Sequence, residues 1–135
     1  MKPWKIGAAL FIALLVLVLL HLMGIVSYPS TETLARKYTD AIIDGDVERA
    51  VELASPGCRR LVEEDAQQDI QQYGGAEVRD IRVEVVDGTG SDEEYQIAFV
   101  TFEYRPESQT TWQAGKISLS TDYEPIGFRQ LSCGG

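Results

Sequence analysis

The residue types that could carry out chemistry are few and scattered in this chain. Its 135 residues contain one histidine, His21, and two cysteines, Cys58 and Cys133. Because no histidine follows residue 21, a Ser-His-Asp triad or a histidine-containing zinc site is excluded from the rest of the chain. We find no catalytic, cofactor-binding or metal-binding motif and predict no residue in any of these roles.

Acidic and tyrosine side chains are the remaining groups that could move protons. By residue type alone, Asp40 and Glu103 are candidate acids, and Tyr38, Tyr95 and Tyr104 are candidate hydrogen-bond donors. None of them lies in a catalytic motif. We favour the alternative that the carboxylates are solvated and that the tyrosines belong to the core or to an interface.

Two acidic clusters have the composition of cation sites. Residues 44–46 (DGD) with Glu48 lack the twelve-residue spacing of an EF-hand loop, and they are explained by the end of one helix and the cap of the next. The run at residues 91–94 (SDEE) is typical of a solvated hairpin tip. We therefore expect no metal site in either cluster.

An apolar segment must position everything that follows it. Residues 6–26 carry no formal charge and would extend about 31 Å as a helix, which matches a hydrocarbon core of about 30 Å. Trp4 and Tyr28 flank the segment, and Lys2 and Lys5 favour a cytoplasmic N-terminus. The predicted organisation is a tail (1–5), a membrane helix (6–26), a linker (27–30) and an extracytoplasmic domain (31–135).

A cleaved secretory signal is the alternative interpretation of this segment. The apolar run of residues 6–26 is longer than the roughly 7–15 residues typical of a signal, and residues 24–28 (GIVSY) offer no good pair of small residues for cleavage. We favour an uncleaved anchor.

His21 lies near the outer end of the predicted membrane helix, where its side chain can reach the headgroups. A helix–helix hydrogen bond or a proton site is the alternative role. Ala9 and Ala13 leave self-association of the anchors possible.

Charge and cysteine content limit the partners of the predicted domain. The net charge is −9, and all 21 acidic residues follow Val26, which disfavours nucleic acid and flat docking on an anionic membrane. In an oxidising compartment Cys58 and Cys133 can pair, and the bridge would stabilise the domain by about 4 kcal/mol. Two buried free thiols are the alternative.

Apolar spacing predicts helices first and strands afterwards. The helical period of about 3.6 gives way to a period of two near residue 76. Short connections between successive strands favour an antiparallel meander with the helices on one face, an α+β fold. The predicted helices span residues 30–44, 46–54 and 58–73, and the predicted strands lie at 81–85, 95–104, 111–121 and 126–133.

The order of these features resembles the NTF2-like superfamily, which includes ketosteroid isomerase-like proteins. Residues 38–56 (YTDAIIDGDVERAVELASP) look like the helix pair that opens small exported domains of that type in bacteria, and residues 125–131 (PIGFRQL) look like the last strand. The resemblance implies two to three helices on a curved sheet of about four strands, with a pocket between them. The residues expected to line that pocket are Tyr38, Ile42, Tyr95, Phe99 and Trp112.

Three functions are compatible with this interpretation, because the superfamily hosts enzymes, ligand binders and assembly modules. We favour a membrane-tethered, non-enzymatic module that binds an envelope protein or a small apolar ligand. One alternative is a subunit of an envelope secretion or conjugation assembly, as a homo-oligomer or with other proteins. The other is an isomerase, lyase or hydrolase that uses the pocket.

The anchor is tested by charge substitution. Val16→Arg places a charge at the centre of the apolar segment, at a cost of roughly 2.5–3.5 kcal/mol of insertion free energy. We expect the wild-type chain to stay in carbonate-washed membranes and the variant to be partly released, whereas Val16→Leu should behave as wild type. An intact wild-type chain dissolved in the cytosol, with both thiols reduced, would contradict the predicted placement.

Overall fold

Helices come first along the chain and a sheet follows, which confirms the predicted α+β class. A computed structural model describes residues 3–22, 30–88, 95–123 and 129–133. The helices are α1 (Pro3–Leu22), α2 (Thr31–Ile43), α3 (Val47–Val51) and α4 (Arg59–Tyr73), with a 3-10 turn at Pro56–Cys58. The strands are β1 (Glu77–Asp87), β2 (Gln96–Arg105), β3 (Gln113–Tyr123) and β4 (Arg129–Ser132).

Helix α1 is the one helix in the described part of the chain that is long and apolar enough to cross a membrane. None of its residues is buried in the protein. A signal sequence meets the same criteria, so the structure leaves an anchor and a signal as alternatives. The predicted end of the membrane segment, residues 23–26, lies outside the described residues.

Side-chain caps set the ends of the next two helices where the sequence predicts them. The Ser30 hydroxyl accepts a hydrogen bond from the Thr33 amide at 3.2 Å, and the Asp46 carboxylate accepts one from the Arg49 amide at 3.1 Å. Between the two helices Gly45 adopts φ +71°, a left-handed conformation that residues with a Cβ rarely take. Ser30 therefore fixes the start of α2 and Asp46 the start of α3, while Gly45 lies just after the end of α2.

The second predicted helix is shorter than expected, because the chain after it pairs with the sheet. Helix α3 ends at Val51 instead of residue 54. The Ser55 amide donates to the Leu131 carbonyl at 3.0 Å, and the Leu131 amide donates to the Leu53 carbonyl at 2.9 Å. This parallel bridge between Ala54 and Leu131 covers the free edge of β4, and helical periodicity could not reveal it.

The sheet is an antiparallel meander in the order β1-β2-β3-β4, as predicted. Val83, Val100 and Ile117 stand in one register across the first three strands, and their side chains point toward the helices. Strand β2 lies inside the sheet, between β1 and β3. We call the helix-covered side the inner face and the opposite side the outer face.

Strand β1 begins at residue 77, four residues before the predicted start, because a bulge interrupts its alternation. The pairing with β2 skips from Arg79–Glu103 to Arg82–Thr101, and Asp80 within the bulge has φ +56°. The extra residue brings Val78 and Ile81 both to the inner face. A strict period of two therefore recovers only the part of the strand after the bulge.

The bounds of the last two strands also differ from the prediction. Strand β3 is Gln113–Tyr123 instead of residues 111–121. The predicted last strand covers 126–133, of which residues 126–128 lie outside the described residues; β4 occupies Arg129–Ser132.

The core between α4 and the sheet is filled by aromatic rings. The Tyr73 ring lies edge-on against Phe102 and Tyr104, with centroid distances of 4.9 and 4.8 Å. Gly115 stands opposite Phe102 on β3, and a Cβ there would collide with the Phe102 ring. The edge-to-face packing of these rings, with the Phe102 ring in the space that a side chain at residue 115 would take, therefore fills this part of the inner face.

A disulfide joins the start of α4 to the end of β4. Cys58 and Cys133 are 75 residues apart in sequence, and their Cα atoms lie 5.1 Å apart. The bond closes most of the domain into one loop. Together with the Ala54–Leu131 bridge, it holds the shortest strand in place.

Removing this disulfide should destabilise the protein substantially. In the chain-entropy model, opening a loop of this length costs about 4 kcal/mol. We expect Cys58→Ser, Cys133→Ser and the double variant to lower the free energy of unfolding by similar amounts, measured by urea titration of the full chain in detergent. A double variant as stable as wild type would show that the loop constraint contributes nothing.

Candidate functional site

Tyr38 and Asp69 form a hydrogen bond between a tyrosine and a carboxylate. The Tyr38 hydroxyl donates to Asp69 Oδ2 at 2.7 Å, from helix α2 to helix α4. Tyr38 is 1% exposed and Asp69 is half-buried. A half-buried carboxylate beside a buried tyrosine is a combination that proton-transfer enzymes often use.

Both groups of this pair have shifted proton affinities. Burial raises the pKa of the Tyr38 hydroxyl, and the negative charge of Asp69 raises it further. Burial also raises the pKa of Asp69; the hydrogen bond from Tyr38 opposes this increase, and the Asp65 carboxylate adds to it. The Tyr38 hydroxyl donates its one proton to Asp69 Oδ2, so the hydrogen bond joins two helices and this proton is not available to a substrate.

Asp69 was not predicted as a site residue, although the spacing contains the signal. Val62, Ala66 and Tyr73 are buried on the inner side of α4. Asp69 lies three residues after Ala66 and four before Tyr73, so helical geometry places it on the same side. A carboxylate at that position predicts a buried partner, and Tyr38 is that partner.

The predicted acids lie elsewhere. Asp40 is exposed and borders a groove of about 350 Å³ between α2 and α3, with Lys37, Arg49, Glu52 and Leu53. Glu103 accepts a hydrogen bond from Arg79 at 2.7 Å on the outer face. Neither acid shares a hydrogen bond with Tyr38 or Asp69 in the described part of the chain. The predicted donor Tyr104 donates to Gln113 Oε1 at 3.2 Å.

The five residues predicted to line one pocket lie in separate parts of the structure. Tyr38 and Ile42 are buried in the inner core, and the Tyr95 ring occupies the space beside Gly88. Phe99 alternates with the buried Ala98 and Val100, so its side chain points to the outer face. Because Ile42 and Phe99 lie on opposite sides of the sheet, they do not share a cavity.

Trp112 contacts two arginines at one end of the outer face. The guanidinium carbons of Arg79 and Arg105 are 3.9 and 4.8 Å from the centre of the indole ring. Each arginine also pairs with a glutamate, Arg79 with Glu103 and Arg105 with Glu77. Cation–π contacts at partly exposed positions contribute about 0.5–1 kcal/mol each, so this cluster ties the ends of three strands together.

The middle of the outer face carries an aromatic ring that no described helix covers. Phe99 is half-buried, and the Lys116 ammonium lies 4.8 Å from its ring centre. Ser118 stands opposite Phe99 on β3, and Thr101 stands opposite Lys116; both are exposed. The small neighbours leave the ring accessible from the solvent side.

A chain of hydrogen bonds fixes the opposite end of the inner face. Thr31 donates to Gln96 Oε1 at 2.6 Å. Since a hydroxyl has one proton, Thr121 is the donor in the 3.0 Å contact between the two threonines, and Arg129 donates to Thr121 at 2.9 Å. The buried Arg129 guanidinium thus connects β4 to the first turn of α2.

Comparison with known proteins assigns no family to the chain. No protein-family model matches it, and no curated protein sequence matches it significantly. Among the described residues there is also no group of three histidine, cysteine, aspartate or glutamate side chains arranged to hold a metal ion. The NTF2-like resemblance therefore stays a hypothesis.

The raised pKa of Asp69 predicts a pH-dependent stability. The folded state favours the protonated carboxyl, so this contribution is fully present below the unfolded pKa of about 3.9 and is lost as pH rises through the higher folded pKa. Asp69→Asn keeps an acceptor for Tyr38 without the charge. We expect this variant to be more stable than wild type at neutral pH and to gain little at pH 3.

Thermal melts of the full chain in detergent across that pH range would measure the difference. Glu64→Gln is the matched control, because Glu64 is exposed on the same helix, and its effect should be smaller. Destabilisation by Asp69→Asn at neutral pH would contradict the assignment.

Proposed function

We propose that this protein is a membrane-tethered, extracytoplasmic module that binds a protein of the cell envelope through the outer face of its sheet. Helix α1 serves as the retained anchor, with the N-terminus in the cytoplasm. The Cys58–Cys133 disulfide supports the placement, because disulfides persist in oxidising compartments. The single observation that carries the binding role is Phe99, which lies in the middle of a sheet face left open by the helices.

The composition of the outer face supports a protein partner. Val86 stands opposite Ile97 next to Phe99, and these three apolar side chains are each half-buried. Charged residues lie beside them: Glu84 stands opposite Phe99 on β1, and the Lys116 ammonium on β3 contacts the Phe99 ring. A small apolar centre with a polar rim is the usual anatomy of a protein–protein interface.

A small apolar ligand is less well supported. The resemblance to NTF2-like proteins would place such a ligand between the helices and the sheet. There the Tyr73, Phe102 and Tyr104 rings pack against one another, and the Phe102 ring fills the space that a side chain at Gly115 would occupy. This packing favours a role for the outer face.

An enzyme is the second candidate function, and one observation favours it. The Tyr38–Asp69 pair combines a half-buried carboxyl and a buried tyrosine, both with a raised pKa, as proton-transfer sites often do. Yet Tyr38 is 1% exposed and already donates its one hydroxyl proton to Asp69.

Site-specific photocrosslinking tests the proposed binding face. A photoreactive amino acid at Ser118, opposite Phe99, should form an adduct with a distinct envelope protein in intact membranes. The same group at Gln68, exposed on α4, should not. Phe99→Ala and Lys116→Glu should reduce the Ser118 adduct at least about tenfold, because central interface residues carry most of the binding energy.

Lys37→Glu is the matched charge reversal on the helical side and should leave the adduct unchanged. The proposal is wrong if Ser118 gives no adduct with another protein, or if its adduct forms equally well in the Phe99→Ala and Lys116→Glu variants.

A further inference from the structure

Strand β1 is an open edge of the sheet. The strand order places it outermost, and β2 is its one neighbour among the described strands. The opposite edge is protected, because β4 is short and pairs with Ala54 through Leu131. An open edge presents a row of backbone N–H and C=O groups that can extend the sheet into a second chain.

The side chains on β1 are complementary to themselves when the strand is turned around. Consider two antiparallel copies in which Val83 of one chain stands opposite Val83 of the other. Arg82 then stands opposite Glu84 on the outer face, and this pair occurs twice. Ile81 stands opposite Val85 on the inner face, also twice, so every opposite pair matches in charge or in apolar character.

Neighbouring registers lack this match. Centring the pairing on Glu84 would bring two glutamates together, and centring it on Arg82 would bring two arginines together, which destabilises a strand pair. Centring it between two residues would pair an inner-face side chain with an outer-face one, because strand side chains alternate. The sequence of the edge therefore selects one register.

The exposure of the strand agrees with this pairing. Val85 is 37% exposed even though it points to the inner face. Val83 and Ile81 are partly exposed, and Arg82 and Glu84 are exposed. No ion pair within the chain engages Arg82 or Glu84 among the described residues. A second strand would cover the apolar side chains and pair the charges.

We propose that two copies of this chain associate through antiparallel pairing of their β1 strands centred on Val83, which joins their sheets into one of eight strands. The inference does not depend on the proposed partner of the outer face. We take the partner strand to be β1 of a second copy of this chain, because the charge pattern of residues 81–85 is complementary to itself in the antiparallel direction.

The bulge limits the length of the pairing and therefore its strength. Asp80 is in a left-handed conformation and breaks the regular edge just before Ile81, so the paired region is about five residues in each chain. Such an interface is weak in free solution. Confinement of two anchors to one membrane raises their effective concentration, and the two-fold axis of an antiparallel pair leaves both sets of helices on the same side of the joined sheet.

Cysteine crosslinking in membranes tests the register. Opposite residues of an antiparallel pair have Cα atoms about 4.5–5.5 Å apart, within reach of a disulfide. The full-length Val83→Cys chain should therefore form a covalent dimer under mild oxidation. Val86→Cys is the matched control on the same strand: its two copies would be about 20 Å apart and should crosslink at least about tenfold less.

Charge exchange provides a second test that does not depend on an added cysteine. Arg82→Glu or Glu84→Arg alone creates two like-charge pairs and should raise the dissociation constant of the dimer at least about tenfold. The double variant Arg82→Glu/Glu84→Arg restores opposite charges and should return it to near the wild-type value. Sedimentation of the full chain in detergent or lipid nanodiscs measures these constants.

The proposal is overturned if Val83→Cys and Val86→Cys crosslink equally, or if wild type stays monomeric at the density reached in membranes. It is also overturned if the double variant dimerises as weakly as the single ones. Loss of the Ser118 adduct with an intact β1 dimer would reject the proposed partner and leave the dimer in place, so the two proposals fail separately.

Discussion

Burial of one face of a four-stranded sheet beneath α2 and α4 is the constraint on which the other features depend. The inward side chains of β2, from Ala98 to Tyr104, are buried against these helices. Since alternate strand residues point to opposite faces, this burial fixes which side chains remain outside. Phe99 and Lys116 are on the outer face for that reason, and a slip of one residue in register would exchange the two sets.

The two edge strands of the sheet differ in how they are held. At the β4 edge, the disulfide, the Ala54–Leu131 bridge and the Arg129–Thr121–Thr31 hydrogen bonds hold a strand of four residues. At the β1 edge, a longer strand has the bulge at Asp80 and a run of alternating charges. The first edge is closed within the chain, and the second has the features of a contact between chains.

Local patterns were sufficient for much of this fold. The caps at Ser30 and Asp46, the turn at Gly45 and the alternation of residues 81–85 involve residues within four positions of each other, so their outcome was predictable. The shortened α3 and the early start of β1 were not. Both depend on contacts with strands that lie far away in sequence, namely Leu131 for residue 54 and Glu103 for Arg79.

The sequence by itself determined the α+β order, the apolar first helix, the strand phases and the acidic, histidine-free character of residues 27–135. Only the tertiary structure decided that Tyr38 pairs with Asp69, that Trp112 contacts two arginines and that Phe99 and Ile42 are on opposite sides of the sheet. The physical reason is that periodicity describes which direction a side chain takes from its own backbone. Which group it meets there is set by packing between different segments of the chain, as for Tyr38 and Asp69, which are 31 residues apart.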